Sequence, residues 1–239
     1  MSRGTDKVEG RRAVRELLKA RRRRARTVWI GGRDLDDIAD LAREAGVKIQ
    51  RVPPEEIDRR ARSESPQGVI AVADALPEVD LDRLLADPDA FLVALDGVTD
   101  PQNLGAVART AESAGATGLV VPRHRAARIT PTVTKAAAGA LEHLPVAAVS
   151  GVPASLERAR RADVWTVGLD ADGDSDLFEL AVADQPVMLV LGAEGSGLSR
   201  LARQRCDVLA RIPMRGAIES LNVGAAAALA CYEVARRRG

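Results

Sequence analysis

The sequence predicts an α/β protein in two parts: a small α/β unit over residues 1–75 and, after a linker over 76–89, a larger parallel-sheet domain over 90–239. Three observations carry this prediction. Six apolar runs in the second half, FLVALDG (91–97), GLVVP (118–122), PVAAVS (145–150), DVWTVGL (163–169), PVMLVLG (186–192) and DVLARIP (207–213), are continuous rather than alternating. That is the pattern of strands buried on both faces, and helical stretches separate them. Shorter strand and helix patterns alternate before residue 75, and 239 residues suffice for either one large domain or two small ones.

Taken in order, apolar residues at Val8, Ala13, Val14, Leu17 and Leu18 form a helical stripe from Val8 to about Lys19, with arginines opposite. A strand over 27–30, a helix over 35–45 ended by Gly46 and a strand over 47–52 follow. Pro53-Pro54 opens a short helix, and GVIAVA (68–73) is a third strand. The acidic stretch DALPEVDLDRLLADPD (74–89) holds two prolines and a weak helical pattern, so it reads as a linker with one helical turn.

Composition excludes several classes. With two Phe, two Trp and one Tyr, the chain lacks the rings of a domain that stacks bases. No apolar run approaches the roughly 18 residues of a membrane span, and no apolar stretch follows the charged N-terminus, so a soluble, cytoplasmic protein with no membrane partner is expected. Cys206 and Cys231 are isolated and predict reduced thiols. His124 and His143 lack a matching cluster, and the Asp170, Asp172, Asp174, Asp176 series has Ala181 where a calcium loop needs its terminal Glu, so no metal is expected. The net charge of +1 conceals an asymmetry. Residues 1–26 hold eleven Lys/Arg against three acids, net +8, which leaves −7 for the rest. Arg11, Arg12, Arg21, Arg22, Arg23 and Arg24 are therefore candidate polyanion contacts, the alternative being a solvated helix face.

Three segments follow apolar strands, where open parallel sheets place ligands. In D-G-V-T-D-P-Q-N-L-G-A-V-A-R (96–109), Asn103 is placed to cap a helix on which Gly105 and Arg109 share a face; equally, Arg109 could be a surface arginine paired with Glu112. In L-G-A-E-G-S-G-L-S (191–199), three glycines surround Glu194, as in a backbone that approaches a ligand or in a plain turn whose Ser196 or Ser199 caps the next helix. This spacing is not a dinucleotide fingerprint, and no phosphate-loop Gly-Lys-Ser/Thr occurs. In I-P-M-R-G-A-I-E-S-L-N-V-G (212–224), Ser220 and Asn222 head a helix of small residues, which Ser220 could cap.

In their order and spacing, N-L-G-A-V-A-R, L-G-A-E-G-S-G-L and I-P-M-x-G-x-x-x-S-L-N-V resemble the SpoU (TrmH) family of RNA ribose 2′-O-methyltransferases, within the SPOUT superfamily. V-E-G-x-x-A-V (8–14) and Q-G-V-I-A (67–71) resemble the substrate-binding unit that precedes the catalytic domain in members acting on 23S rRNA guanosine. The resemblance implies a C-terminal α/β domain with a deep trefoil knot, a homodimer and structured RNA, ribosomal RNA first, as partner. It implies S-adenosyl-L-methionine held by backbone around Gly192, Ile212 and Leu221, with Gly195 and Met214 beside them, and a catalytic set of Asn103, Arg109, Glu194, Ser220 and Asn222. Gly224 departs from the Ser of many members. Runner-up readings are a tRNA or antibiotic-resistance rRNA 2′-O-methyltransferase and, from another class, a non-enzymatic RNA-binding assembly factor.

Overall fold

The structure, a computed structural model, describes residues 4–123, 129–217 and 220–239. His124, and Ile218 and Glu219 of the third motif, lie outside the described residues. The first elements are β1 (Thr5–Glu9), α1 (Arg11–Ala20), β2 (Ala25–Ile30), α2 (Asp36–Glu44), β3 (Lys48–Arg51), α3 (Pro54–Arg60) and β4 (Val69–Asp74). There follow α4 (Leu81–Leu85), β5 (Phe91–Asp96), α5 (Pro101–Ser113), β6 (Gly118–Pro122), α6 (Pro131–Ala136), β7 (Val146–Val149) and α7 (Val152–Arg161). The chain ends with β8 (Trp165–Leu169), β9 (Ser175–Asp176), β10 (Val187–Gly192), α8 (Arg200–Arg205), β11 (Val208–Arg211) and α9 (Val223–Arg238). The described residues fall into two compact units, one drawn from 1–77 and 128–143, the other from 78–127 and 144–239.

The first unit is built on a four-stranded sheet of order β1-β4-β2-β3, with β4 antiparallel to both neighbours and β2 parallel to β3. The helical stripe begins later than its apolar spacing predicts. Gly10 takes φ 94°, a backbone that stops a helix, so Val8 and Glu9 belong to β1 and α1 starts at Arg11. Ala13, Val14, Leu17 and Leu18 of α1 and Ile38, Ala39 and Ala42 of α2 bury against Val28, Ile30, Val69, Ala71 and Ala73. At about 1.5–3 kcal/mol for each large apolar side chain, this layer supplies the unit's core. Residues 129–143, which the sequence places with the larger domain, complete the unit: α6, capped by the Thr130 hydroxyl, packs on β1 and α1, and a 3-10 turn over Ala140–Glu142 follows.

The second unit carries a seven-stranded, wholly parallel sheet of order β7-β6-β5-β10-β8-β11-β9. All six apolar runs form strands, and β9 adds a short edge. The stretch expected as linker folds into this unit instead. Asp80 caps α4, and Leu81, Leu84 and Leu85 enter the core with Leu92, Ala94, Met188 and Val190, because their i, i+3, i+4 spacing makes one apolar face that the surrounding acids and prolines obscure in sequence. In the acidic series, Asp170 pairs with Arg203 at 3.2 Å, and Ser175–Asp176 forms β9. Among the described residues no helix is long and apolar enough to cross a membrane, and no cluster of His, Cys, Asp and Glu could hold a metal.

Both cysteines are free. Burial first, with Asp207 and Asp96 adding to it at Cys206, pushes each thiol up to about 12. Since only the thiolate attacks, native protein at pH 8 is expected to resist a maleimide at both positions and to react fully once denatured. Labelling of the native protein on the timescale of a free thiol would refute that burial.

Candidate functional site

The order of strands reverses between β5 and β10, and their C-terminal ends lie side by side with Gly192 opposite Asp96. Such a switch point opens a crevice in a parallel sheet. Two helices and a glycine loop converge on it.

The helix α5 starts with Pro101 and is capped by Asp100, whose carboxylate accepts from the Asn103 N–H at 2.9 Å. Asn103 is therefore not the cap that the sequence suggests. It sits in the first turn with its side chain released, and its Oδ1 accepts from Asn222 Nδ2 at 3.1 Å. Asn222, rather than Ser220, caps α9, its Oδ1 accepting from the Gly224 N–H at 2.8 Å. The cap needs the oxygen turned toward the helix, so the amide nitrogen must point away, where a second short bond reaches Glu194. One side chain thus joins α5, α9 and the glycine loop. The loop closes on itself by Ala193 N–H to Gly197 carbonyl at 3.1 Å and the reverse bond at 2.9 Å. Gly195 and Gly197 take φ 78° and 64°. Asp96 fastens it to β5 by accepting from the Ser199 N–H at 2.7 Å, and the Ser199 hydroxyl caps α8, one of the two alternatives open in sequence.

Gly192 is dictated by space. A Cβ there would stand 2.1 Å from the Gly197 carbonyl carbon and 2.3 Å from the Leu198 nitrogen, backbone atoms with no way to yield. Gly192→Ala is expected to displace the loop and abolish cofactor binding, read by calorimetric titration; unaltered binding would show the loop to be dispensable. At Gly224 a Cβ would meet Ala106 Cβ at 3.3 Å, so the departure from Ser matches a close approach of α9 to α5.

Of the five catalytic candidates, hydrogen bonds connect Asn103, Glu194 and Asn222. Ser220 is exposed two residues before Asn222, and Arg109 is exposed six residues beyond Asn103 on α5. Among the described residues Arg109 makes no ion pair with Glu112. Gly192 and Gly195 flank Glu194, Leu221 adjoins Asn222, and Ile212 and Met214 follow β11. Met214 and Leu221 are large apolar side chains, each 39% exposed, and a Cβ on Gly195, Gly197 or Gly216 would meet nothing within 4 Å. Exposed apolar side chains and bare backbone on these segments suit a nucleoside that carries a sulfonium arm, and the residues fit such a group.

The candidate polyanion contacts divide. Arg11 and Arg12 lie exposed at the start of α1, and Arg21 and Arg24 lie exposed beyond its end. Arg22 is half-buried, and burial lowers its pKa. Arg23 is a correction: its side chain is 2% exposed and committed to the first unit's interior. Its guanidinium donates to both carboxylate oxygens of Glu142 at 3.0 and 2.6 Å, to Asp6 at 2.8 Å and to the Asp74 carbonyl at 3.0 Å. Sequence reasoning missed Asp100 and Asp96 as the groups that fasten the site. Asp100 was visible as an Asp immediately before a helix-opening Pro.

Residues 90–232 match the SpoU rRNA Methylase family, and residues 7–79 match the RNA 2′-O ribose methyltransferase substrate binding family. The 23S rRNA (guanosine-2′-O-)-methyltransferase RlmB of Shewanella oneidensis is 39% identical, covering 98% of each chain. RlmB of Pseudomonas aeruginosa is 38% identical, over 98% of this chain and 97% of its own. The SpoU methyltransferase AviRb of Streptomyces viridochromogenes, solved with AdoMet, has a TM-score of 0.84 at 31% identity, covering 98% of this chain and 91% of AviRb.

Proposed function

The chain belongs to the SpoU rRNA methylase family, and from that membership we propose that it methylates the ribose 2′-hydroxyl of a guanosine in 23S rRNA. The observation that carries the proposal is the Asn103–Asn222–Glu194 network at the β5/β10 switch point, which holds three family-matching polar groups in one place. S-adenosyl-L-methionine supplies an electrophilic methyl on a sulfonium. Backbone at Gly192, Gly195, Ile212 and Leu221 would hold it, with Met214 covering its apolar side.

The rest is the work of this chain's side chains. A guanidinium stays protonated in proteins, so Arg109 acts as a cation: it grips the phosphate next to the target ribose in a bidentate fashion and lowers the pKa of the 2′-hydroxyl. The proton passes to phosphate, water or Glu194. Asn103, Ser220 and Asn222 fix the ribose so that its oxygen lies in line with the methyl group, and such positioning supplies several kcal/mol.

The same reading includes a C-terminal trefoil knot, supported by β10 lying between β5 and β8 while α9 packs back on α5 and β10. It also includes a cytoplasmic location and a homodimer, the dimer supported by exposed Phe178, Leu229 and Tyr232, the last two on α9. Calorimetric titration with S-adenosyl-L-methionine tests the reading against a non-enzymatic RNA-binding factor. Saturable binding is expected; none at millimolar cofactor would favour the binding factor.

A further inference from the structure

The two short motifs of the first unit meet in space, and their meeting point has a chemistry that the Arg-rich run does not. Glu9 is fully buried, and its two carboxylate oxygens accept from the N–H groups of Arg62 and Ser63, each at 2.8 Å. The Arg11 N–H donates to Gln67 Oε1 at 2.9 Å, and the Gly31 N–H donates to the Gly68 carbonyl at 2.9 Å. A Cβ on Gly68 would stand 2.9 Å from Gly32 Cα. Three segments, the β1–α1 junction at 9–12 and the stretches 31–34 and 62–68, therefore meet at one end of the sheet, with Gly68 backbone against Gly31–Gly32 backbone.

Each loop brings cations. Arg11 donates from Nη2 to the Arg33 carbonyl at 2.9 Å, which sets its guanidinium beside the second loop and leaves further N–H donors outward. Arg12, Arg33 and Arg62 are exposed. The last cation comes from far along the chain. Lys135 on α6 lies beside Gly10, its Cγ 3.6 Å from where a Cβ on that glycine would stand. The acids nearby do not cancel the charge: Glu9 is consumed by two amides, and Asp34 and Glu64 are exposed single carboxylates against five cations. Trp29, the one aromatic residue before residue 77, is stacked beneath Arg60 at 4.4 Å, so this unit is not arranged to read bases by stacking.

We propose that this junction, with Arg11, Arg12, Arg33, Arg62 and Lys135 around the Gly10–Gly68 backbone, is the surface that grips the ribose-phosphate backbone of folded RNA, and that Lys135 gives it a cation from within the segment matching the methylase family. The proposal rests on the RNA methyltransferase reading and names the site within it. Side-chain-free backbone lets a nucleic-acid strand approach closely, while separated cations match phosphates by shape rather than by sequence.

The test measures binding of a 23S rRNA transcript across a salt series for the wild-type chain and for Arg33→Glu, Arg62→Glu and Lys135→Gln, with cofactor affinity as the folding control. Each variant is expected to bind RNA roughly tenfold more weakly, with a salt slope lower by about one per lost contact and unchanged cofactor affinity. Lys135→Arg is expected to restore binding, and Arg43→Glu, an equal charge change elsewhere in the unit, to leave it intact. Unchanged binding in the three variants, or weakening only on Arg21→Glu and Arg24→Glu, overturns the proposal while leaving the enzyme reading standing. Wild-type protein that binds cofactor but no RNA overturns both.

Discussion

Arg109→Ala is expected to lower methyl transfer by about 100- to 1,000-fold while leaving cofactor affinity unchanged, the loss typical of one preorganised donor aimed at developing charge. The argument starts from what the residue cannot be. A guanidinium offers donors and no acceptor, so it is no base, and Arg109 makes no ion pair among the described residues. On the proposed mechanism this exposed arginine, on the helix whose first turn carries Asn103, holds a phosphate next to the reacting ribose. Arg109→Lys separates charge from geometry. A lysine keeps the charge but loses the bidentate fork, so RNA binding is retained while most turnover is lost. Single-turnover kinetics with saturating RNA read this directly, and a near wild-type rate for Arg109→Ala would remove the residue from the mechanism.

Arg23→Ala is expected to cost about 3–5 kcal/mol of stability in the first unit, the usual penalty for leaving a buried charge without its partner. Glu142 is as buried as Arg23, each side chain being 2% exposed, so water cannot take over the lost hydrogen bonds. The pair matters beyond its energy because it joins residues 119 apart in sequence and fastens the 3-10 turn after α6 beside Asp6 and Asp74. The double variant Arg23→Met, Glu142→Leu removes both charges and is expected to recover most of the loss, as a double-mutant cycle in urea unfolding would show. A single variant as stable as wild type would mean that the pair contributes no net stability.

The larger sheet was legible because strands buried on both faces leave continuous apolar runs, which polar helices punctuate. The smaller unit was less legible where one residue overrides a periodic pattern. The stripe from Val8 to Leu18 is unbroken on a helical wheel, yet the positive φ of Gly10 ends a strand and starts a helix within it. In 76–89 the acids and two prolines outweigh a three-leucine face that only a folded partner reveals. At the site, the local roles of the polar residues were not legible. Capping follows from which polar side chain the backbone turns toward, so Asp100 and Asn222 cap where Asn103 and Ser220 looked suitable. That freed Asn103 for a contact 119 positions away, which no local pattern encodes. Arg23 looked like its neighbours in the basic run because its partner lies equally distant.

The most direct test of the central claim is nucleotide-resolution mapping of ribose 2′-O-methylation in ribosomal RNA from cells with and without the gene. The account predicts that one 23S rRNA guanosine loses its methyl group and regains it on complementation with the wild-type chain but not with Arg109→Ala. An unchanged 23S rRNA profile, or a loss confined to tRNA, would contradict it.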